Sequence, residues 1–155
     1  DVYKRQGQKG CNGVAILSKL PLSDVRRGLP GDPGDEQARW IEAVVDAGRP
    51  VRVCGLYLPN GNPAPGPKYE YKLAWMARME ARVRELLASE EHFVCLGDYN
   101  VIPLAVDAAK PEAWVGDALF LPESRPAFRP LANLGLSPSL IHLSRCRPST
   151  RCMYR

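Results

Sequence analysis

The chain has 155 residues, 45% of them hydrophobic and 25% charged, a composition that fits one soluble globular domain. Its longest apolar runs, residues 13–17 and 93–96, are far too short to span a bilayer, and no secretory h-region precedes them, so a cytoplasmic protein with no membrane partner is expected. The net charge of +4 sits at the two ends: residues 7–136 hold 15 basic and 16 acidic side chains, so charge gives the body of the chain no sign of nucleic-acid binding.

Residues 1–6 carry no pattern that continues into the next segment and read as a non-native stub joined to the coding sequence. Gly13-Val14-Ala15-Ile16-Leu17 is a short apolar run of the kind that forms a buried strand. Residues 28–35, with three glycines, two prolines and two aspartates, are a loop. Residues 39–45 are β-prone. Residues 51–57 alternate, with Val51, Val53, Gly55 and Tyr57 on one face. Asp46-Ala47-Gly48-Arg49-Pro50 between them is turn chemistry, which predicts a hairpin. Residues 59–67 form a second loop.

The spacing predicts a helix over 69–88, with Leu73, Met76, Ala77, Val83, Leu86 and Leu87 on its buried stripe and Arg78, Arg82, Arg84 and Glu85 outside it. His92-Phe93-Val94-Cys95-Leu96 reads as a buried strand ending at Gly97. Residues 104–122 form a long irregular connection. Residues 124–134 suit a short helix in which Pro130 removes one hydrogen bond. After Leu136 the chain turns Ser-, Arg-, Pro- and Cys-rich, as an aberrant or disordered tail over 137–155. Cys54 and Cys95 lie inside apolar runs and read as small buried hydrophobes. Cys146 and Cys152, with His92 and His142, form no zinc-ligand spacing. The whole is one α/β layered domain over 7–136.

Two features offer chemistry. Asp98 and Asn100 in Gly97-Asp98-Tyr99-Asn100 follow a buried strand, where alternate residues can face one side. A carboxylate there suits a hard cation or a water to be deprotonated, and an amide can donate to a phosphate oxygen. Gly97 admits the close approach of another backbone or of a ligand. The same string is also ordinary turn chemistry, and alone that is the simpler reading. Tyr57, before Leu58-Pro59-Asn60-Gly61, either points its hydroxyl into the same cleft or packs at the rim of the core. No nucleophile elbow or phosphate-binding loop is present. Arg26, Arg27 and Lys72 are further basic groups within possible reach of phosphate.

Six segments occur in a telling order. They are residues 11–18 (Cys-Asn-Gly-Val-Ala-Ile-Leu-Ser), 27–32 (Arg-Gly-Leu-Pro-Gly-Asp), 35–39 (Asp-Glu-Gln-Ala-Arg), 57–61 (Tyr-Leu-Pro-Asn-Gly), 71–75 (Tyr-Lys-Leu-Ala-Trp) and 96–100 (Leu-Gly-Asp-Tyr-Asn). Together they resemble the bacterial exodeoxyribonuclease III family, part of the endonuclease/exonuclease/phosphatase group, over residues 7–136.

The resemblance implies a partial four-layer α/β/β/α sandwich. It implies a monomeric Mg²⁺- or Mn²⁺-dependent nuclease of DNA repair, acting on double-stranded DNA at abasic sites and 3′ ends. By motif, Tyr57 matches the active-site tyrosine, Asp98 the carboxylate that activates water, and Asn100 the residue at the pentacovalent phosphate. Asp98 and Asn100 are the implied metal-site residues, and Asn12, Arg39 and Lys72 the implied substrate contacts.

The departures carry expectations as well. The family's metal-binding glutamate falls upstream and its closing Asp-His pair is not found in 137–155, so the chain reads as truncated at both ends and inactive in isolation. Cys11 replaces a usual aromatic, and Pro130 interrupts a usual helix. Two other functions compete: a phosphodiesterase or phosphatase of the same fold acting on lipid or sugar phosphates, and a non-catalytic DNA-binding scaffold.

Overall fold

The computed structural model describes residues 2–7, 12–140 and 150–154. In chain order these form β1 (Val2–Gly7), β2 (Gly13–Ser18), β3 (Leu22–Arg27), β4 (Trp40–Asp46), β5 (Pro50–Tyr57), α1 (Pro67–Ala88), β6 (Phe93–Asp98), α2 (Ser124–Asn133), β7 (Ser137–Leu140) and β8 (Thr150–Tyr154), with two short 3₁₀ turns between β6 and α2. Strands β1 and β2 make a two-stranded sheet, and the other six pair in the order β3-β4-β5-β6-β8-β7. The expected hairpin is β4–β5, antiparallel from Trp40↔Leu56 to Asp46↔Pro50. Strand β6 runs parallel to β5, with α1 as the crossover.

Each face of the large sheet is covered, and the period-2 alternation of β4 decides which residue goes where. Trp40 joins Cys54, Leu56, Phe93 and Cys95 in a core closed by Trp75, Met76, Met79, Val83 and Leu86 of α1. Ile41 and Ala43 face the other way and meet Val14 and Ile16 of β2, with Val53 and Tyr57 packed against them. The result is a helix layer, a six-stranded sheet and a two-stranded sheet, three of the four layers of the expected sandwich. Cys54 and Cys95 are fully buried, as their apolar flanks imply.

The structure adds strands that the sequence does not announce and changes one expectation about α1. Residues 2–7, read as a separate stub, form β1 and pair with β2 in continuous register from Val2↔Ser18 to Gly7↔Gly13. Strand β3 has no period-2 pattern to announce it, because its register shifts between Ser23 and Arg26. Within the tail, the backbone of 137–140 and 150–154 is strand, while residues 141–149 lie outside the described residues, as does Cys11.

The changed expectation concerns which side chains the helix buries. Ala77 is exposed, and Lys72 and Arg82 are buried on the sheet side of α1. Arg82 goes inside because Glu42 waits there. Its Nε and Nη2 donate to the two Glu42 oxygens at 2.7 Å each. Trp40 Nε1 donates to Oε1 at 2.8 Å, and Arg52 Nη1 to Oε2 at 3.3 Å. Arg52 in turn reaches Asp24 at 2.8 Å and Glu91 at 2.7 Å. Helix α1 is thus tied to the sheet by a buried ionic cluster beside the apolar core.

The cluster sets a pH dependence. Burial pushes the Glu42 pKa up, but the Arg82 and Trp40 donors and the nearby Arg52 charge outweigh it and hold the pKa below its ordinary 4.5. A carboxylate with a depressed folded pKa contributes stability that is present above the unfolded value and lost as pH falls through the folded one. The urea midpoint, followed by Trp40 and Trp75 fluorescence, is expected to stay level from pH 7 to about 5 and to fall below about 4.5. A midpoint that stayed level to pH 3 would remove Glu42 as the cause.

Candidate active site

Strands β5 and β6 end side by side. Their parallel register pairs Tyr57 with Asp98, the last residues of each strand, so the phenol and the carboxylate leave the same sheet edge. Parallel pairing holds through the next residue, where Leu58 N donates to Asp98 O at 2.9 Å. Gly97 makes this possible: at φ +149° a Cβ on it would lie 1.8 Å from Leu56 O. The close approach expected at this glycine is that of the neighbouring strand.

Strand alternation is not what brings Asn100 to the site. Strand β6 ends at Asp98, and Asn100 turns back in the left-handed region, at φ 43°. Its N–H donates to Asp98 Oδ1 at 2.9 Å, the turn chemistry that the string itself suggests. Its side chain is buried, and Nδ2 donates to Leu58 O at 2.8 Å. The turn and the site are one structure: the Asx turn presents the carboxylate, and the bond to Leu58 fixes the amide. Burial raises the Asp98 pKa above 3.8, against the Asn100 N–H and the Lys72 charge, which lower it. A raised pKa strengthens a carboxylate as a proton acceptor.

Arg39 meets Tyr57 on the other side. Its guanidinium stacks over the phenol ring at 5.0 Å from the centroid, and Nη1 donates to Tyr57 O at 3.2 Å. Nε donates to Gln37 Oε1 at 2.6 Å. Gln37 N donates to Asp35, whose carboxylate also accepts from Tyr71 and Arg78. Asp35 is therefore the node between the glycine-rich loop and α1. Burial pushes its pKa up, but Arg78, the Gln37 N–H and Tyr71 together hold it below 3.8.

Asn12, Gln37, Arg39, Tyr57, Lys68 and Tyr71 line one open cleft of about 620 Å³. Two of its walls are not among the expected site residues: Lys68, which lies outside every motif, and Tyr71, which opens one without being assigned to the site. Their spacing of three on α1 puts them on one helix face, which is the signal that finds them.

Lys72 is corrected. It is not a surface cation for phosphate: its relative exposure is 0%. Its ammonium donates to Asn60 O at 3.0 Å, Asn100 O at 2.6 Å and Ala118 O at 3.0 Å, which uses all three N–H groups. Burial pulls its pKa down to about 8, against Asp117 and Asp98, which push it up. Arg26 and Arg27 are exposed on β3, where Arg26 pairs with Asp24 and Arg27 donates to Arg5 O.

The donor set suits a hard divalent cation in kind. Asp98 supplies a carboxylate, and Asn100, with Nδ2 committed to Leu58, has its amide oxygen left to offer. Among the described residues no group of three or more His, Cys, Asp or Glu side chains gathers around a point. A cation held here by two protein oxygens would keep several waters, as magnesium commonly does.

Three comparisons agree. The family model described as "Endonuclease/Exonuclease/phosphatase family" matches residues 3–149. Exodeoxyribonuclease III of Haemophilus influenzae is 30% identical over 146 residues, covering 89% of this chain and 55% of that protein. The solved 3′-5′ exonuclease of Neisseria meningitidis superposes with a TM-score of 0.87 at 31% identity, over 99% of this chain and 66% of that one. An AP endonuclease from Archaeoglobus fulgidus superposes at 0.81 with 26% identity, over 97% and 65%. The chain spans about half the length of the curated relatives it matches.

Proposed function

Because the chain belongs to the endonuclease/exonuclease/phosphatase family, we propose that the protein containing it is a metal-dependent DNA-repair phosphodiesterase, a 3′-5′ exodeoxyribonuclease that also incises abasic sites. The observation that carries this reading is the side-by-side placement of Tyr57 and Asp98 at the ends of parallel strands, with Arg39 stacked on the phenol. The names of the relatives, exonuclease and AP endonuclease, support DNA as the substrate.

Each residue then has a task. Asp98, held by the Asn100 N–H, takes the proton from the attacking water. Asn100 meets the charge that builds on the phosphate with the second N–H of Nδ2, whose first N–H is bonded to Leu58 O. The Tyr57 hydroxyl donates to a phosphate or leaving oxygen, and Arg39 holds the ring in place while adding positive charge to the cleft. Asn12 lines the cleft with Arg39 and Tyr57, which suits a contact with the DNA backbone. Asp98 and Asn100 would hold Mg²⁺ or Mn²⁺, which neutralises developing phosphate charge.

The test uses the full-length product of the gene encoding this chain, with duplexes carrying an abasic-site analogue or a recessed 3′ end, resolved on a denaturing gel. Cleavage of both is expected with Mg²⁺ and none with EDTA. Asp98→Asn is expected to cut the rate by about 10²–10⁴-fold, the size of a lost general base. Full cleavage by Asp98→Asn would remove the role of Asp98. Inert DNA alongside hydrolysis of a lipid or sugar phosphate would move the protein to another branch of the fold.

A further inference from the structure

Three backbone segments around the proposed catalytic groups meet at one atom. The turn after β5 follows Tyr57 and offers Asn60 O; the turn after β6 follows Asp98 and offers Asn100 O; the connection between β6 and α2 offers Ala118 O. The Lys72 ammonium bonds all three from a stem rooted in α1. Gly61 clears the path for that stem: a Cβ there would lie 2.7 Å from Lys72 Cδ, and its φ is +90°. Among the described residues the other ties join these segments two at a time. Asn62 receives the Ala118 N–H and donates to Asp117, Ser124 Oγ donates to Ala118 O, and Asn100 Nδ2 donates to Leu58 O. Lys72 is the group that joins the three.

We propose that Lys72 is a positioning residue, an internal ammonium clamp that sets Asn100 and the Tyr57 turn against each other and never touches the nucleic acid. The inference rests on the nuclease reading for its catalytic consequence, but not for its geometry. A clamp acts on the arrangement of the reacting groups, so its loss lowers kcat. A cation in contact with DNA phosphate acts on binding, so its loss raises KM.

Lys72→Met and Lys72→Arg separate these roles in the full-length gene product. Methionine keeps the stem and removes the donors. Arginine keeps the charge, but a planar fork cannot place three N–H groups as a tetrahedral ammonium does. Both are expected to lose about 100-fold in kcat, the scale of a small misplacement, with KM for the duplex within about 3-fold of the parent. A raised KM at unchanged kcat, or parental kinetics, overturns the proposal.

Two measurements on the unmodified protein need neither activity nor a folded variant. Scalar couplings across hydrogen bonds are expected from Lys72 Nζ to the carbonyl carbons of Asn60, Asn100 and Ala118. Lys72 is also expected to resist a water-soluble acylating reagent that modifies exposed Lys68. Rapid acylation of Lys72 with no such coupling overturns the clamp. The couplings without any phosphodiesterase activity would instead keep the clamp and reject the nuclease reading.

Discussion

Gly97→Ala is expected to leave no cooperatively folded protein. The methyl group would sit 1.8 Å from Leu56 O and 2.8 Å from Leu56 C, inside the backbone of the neighbouring strand, and no rotamer relieves a Cβ. The φ of +149° adds a conformation that alanine rarely adopts. Relief requires β5 and β6 to part at the pair Leu56↔Gly97, one residue from Tyr57↔Asp98. The cost expected is more than about 4 kcal/mol, a large share of a typical domain's 5–15. Gly48→Ala is the control: φ is +84°, but nothing lies within 4 Å of the added carbon, so about 1–2 kcal/mol is expected. Urea unfolding of the two variants, followed by tryptophan fluorescence, makes the comparison. Equal midpoints would mean that the strand edge yields easily and that Gly97 has no special place there.

Glu42→Gln is the second large effect. The carboxylate is 1% exposed and sits between Arg82 and Arg52. Glutamine matches its shape but removes the charge that both guanidiniums face, and its amide nitrogen replaces one acceptor with a donor. Breaking a buried pair on one side costs about 3–5 kcal/mol, because the remaining charge stays desolvated. Arg82 suffers most, since Glu42 takes its Nε and Nη2 while only exposed Glu85 holds Nη1. The double variant Glu42→Gln/Arg82→Met is expected to recover part of the loss, since neither charge then remains unmatched. Glu42→Gln should also flatten the acid limb of the stability curve below pH 4.5. Strictly additive losses in the double variant would show that the two residues do not act as a pair.

Much of the frame is readable along the chain because it depends on neighbours in sequence. The turn at 46–50 and the alternation of 51–57 make the β4–β5 hairpin. The apolar run before Gly97 makes β6, and a run of 3.6 periodicity makes α1. Strand β3 hides because its bulge breaks the two-residue period, leaving Leu22 and Val25 three apart. Strand β1 hides because an edge strand is defined by its backbone ladder to β2, and its Tyr3 side chain stays half exposed.

The charged residues show where local reasoning stops. By residue type, Lys72 and Arg82 belong on the wet side of α1, and both are buried. Their partners lie far along the chain, 40 residues away for Glu42 and 28 and 46 for the Asn100 and Ala118 carbonyls. A buried charge is stable only where such partners already stand, and no pattern within one helix can reveal them. The sequence by itself determined the identity and order of the candidate motifs, because Tyr57 ends a strand visible in its alternation and Asp98 ends one visible as a continuous apolar run. Tertiary structure alone decided that these two strand ends lie abreast, that Asn100 enters by a left-handed turn, and that Lys72 is buried against three carbonyls. Those facts depend on parallel pairing across a helical crossover and on desolvation, both of which arise only when distant segments pack.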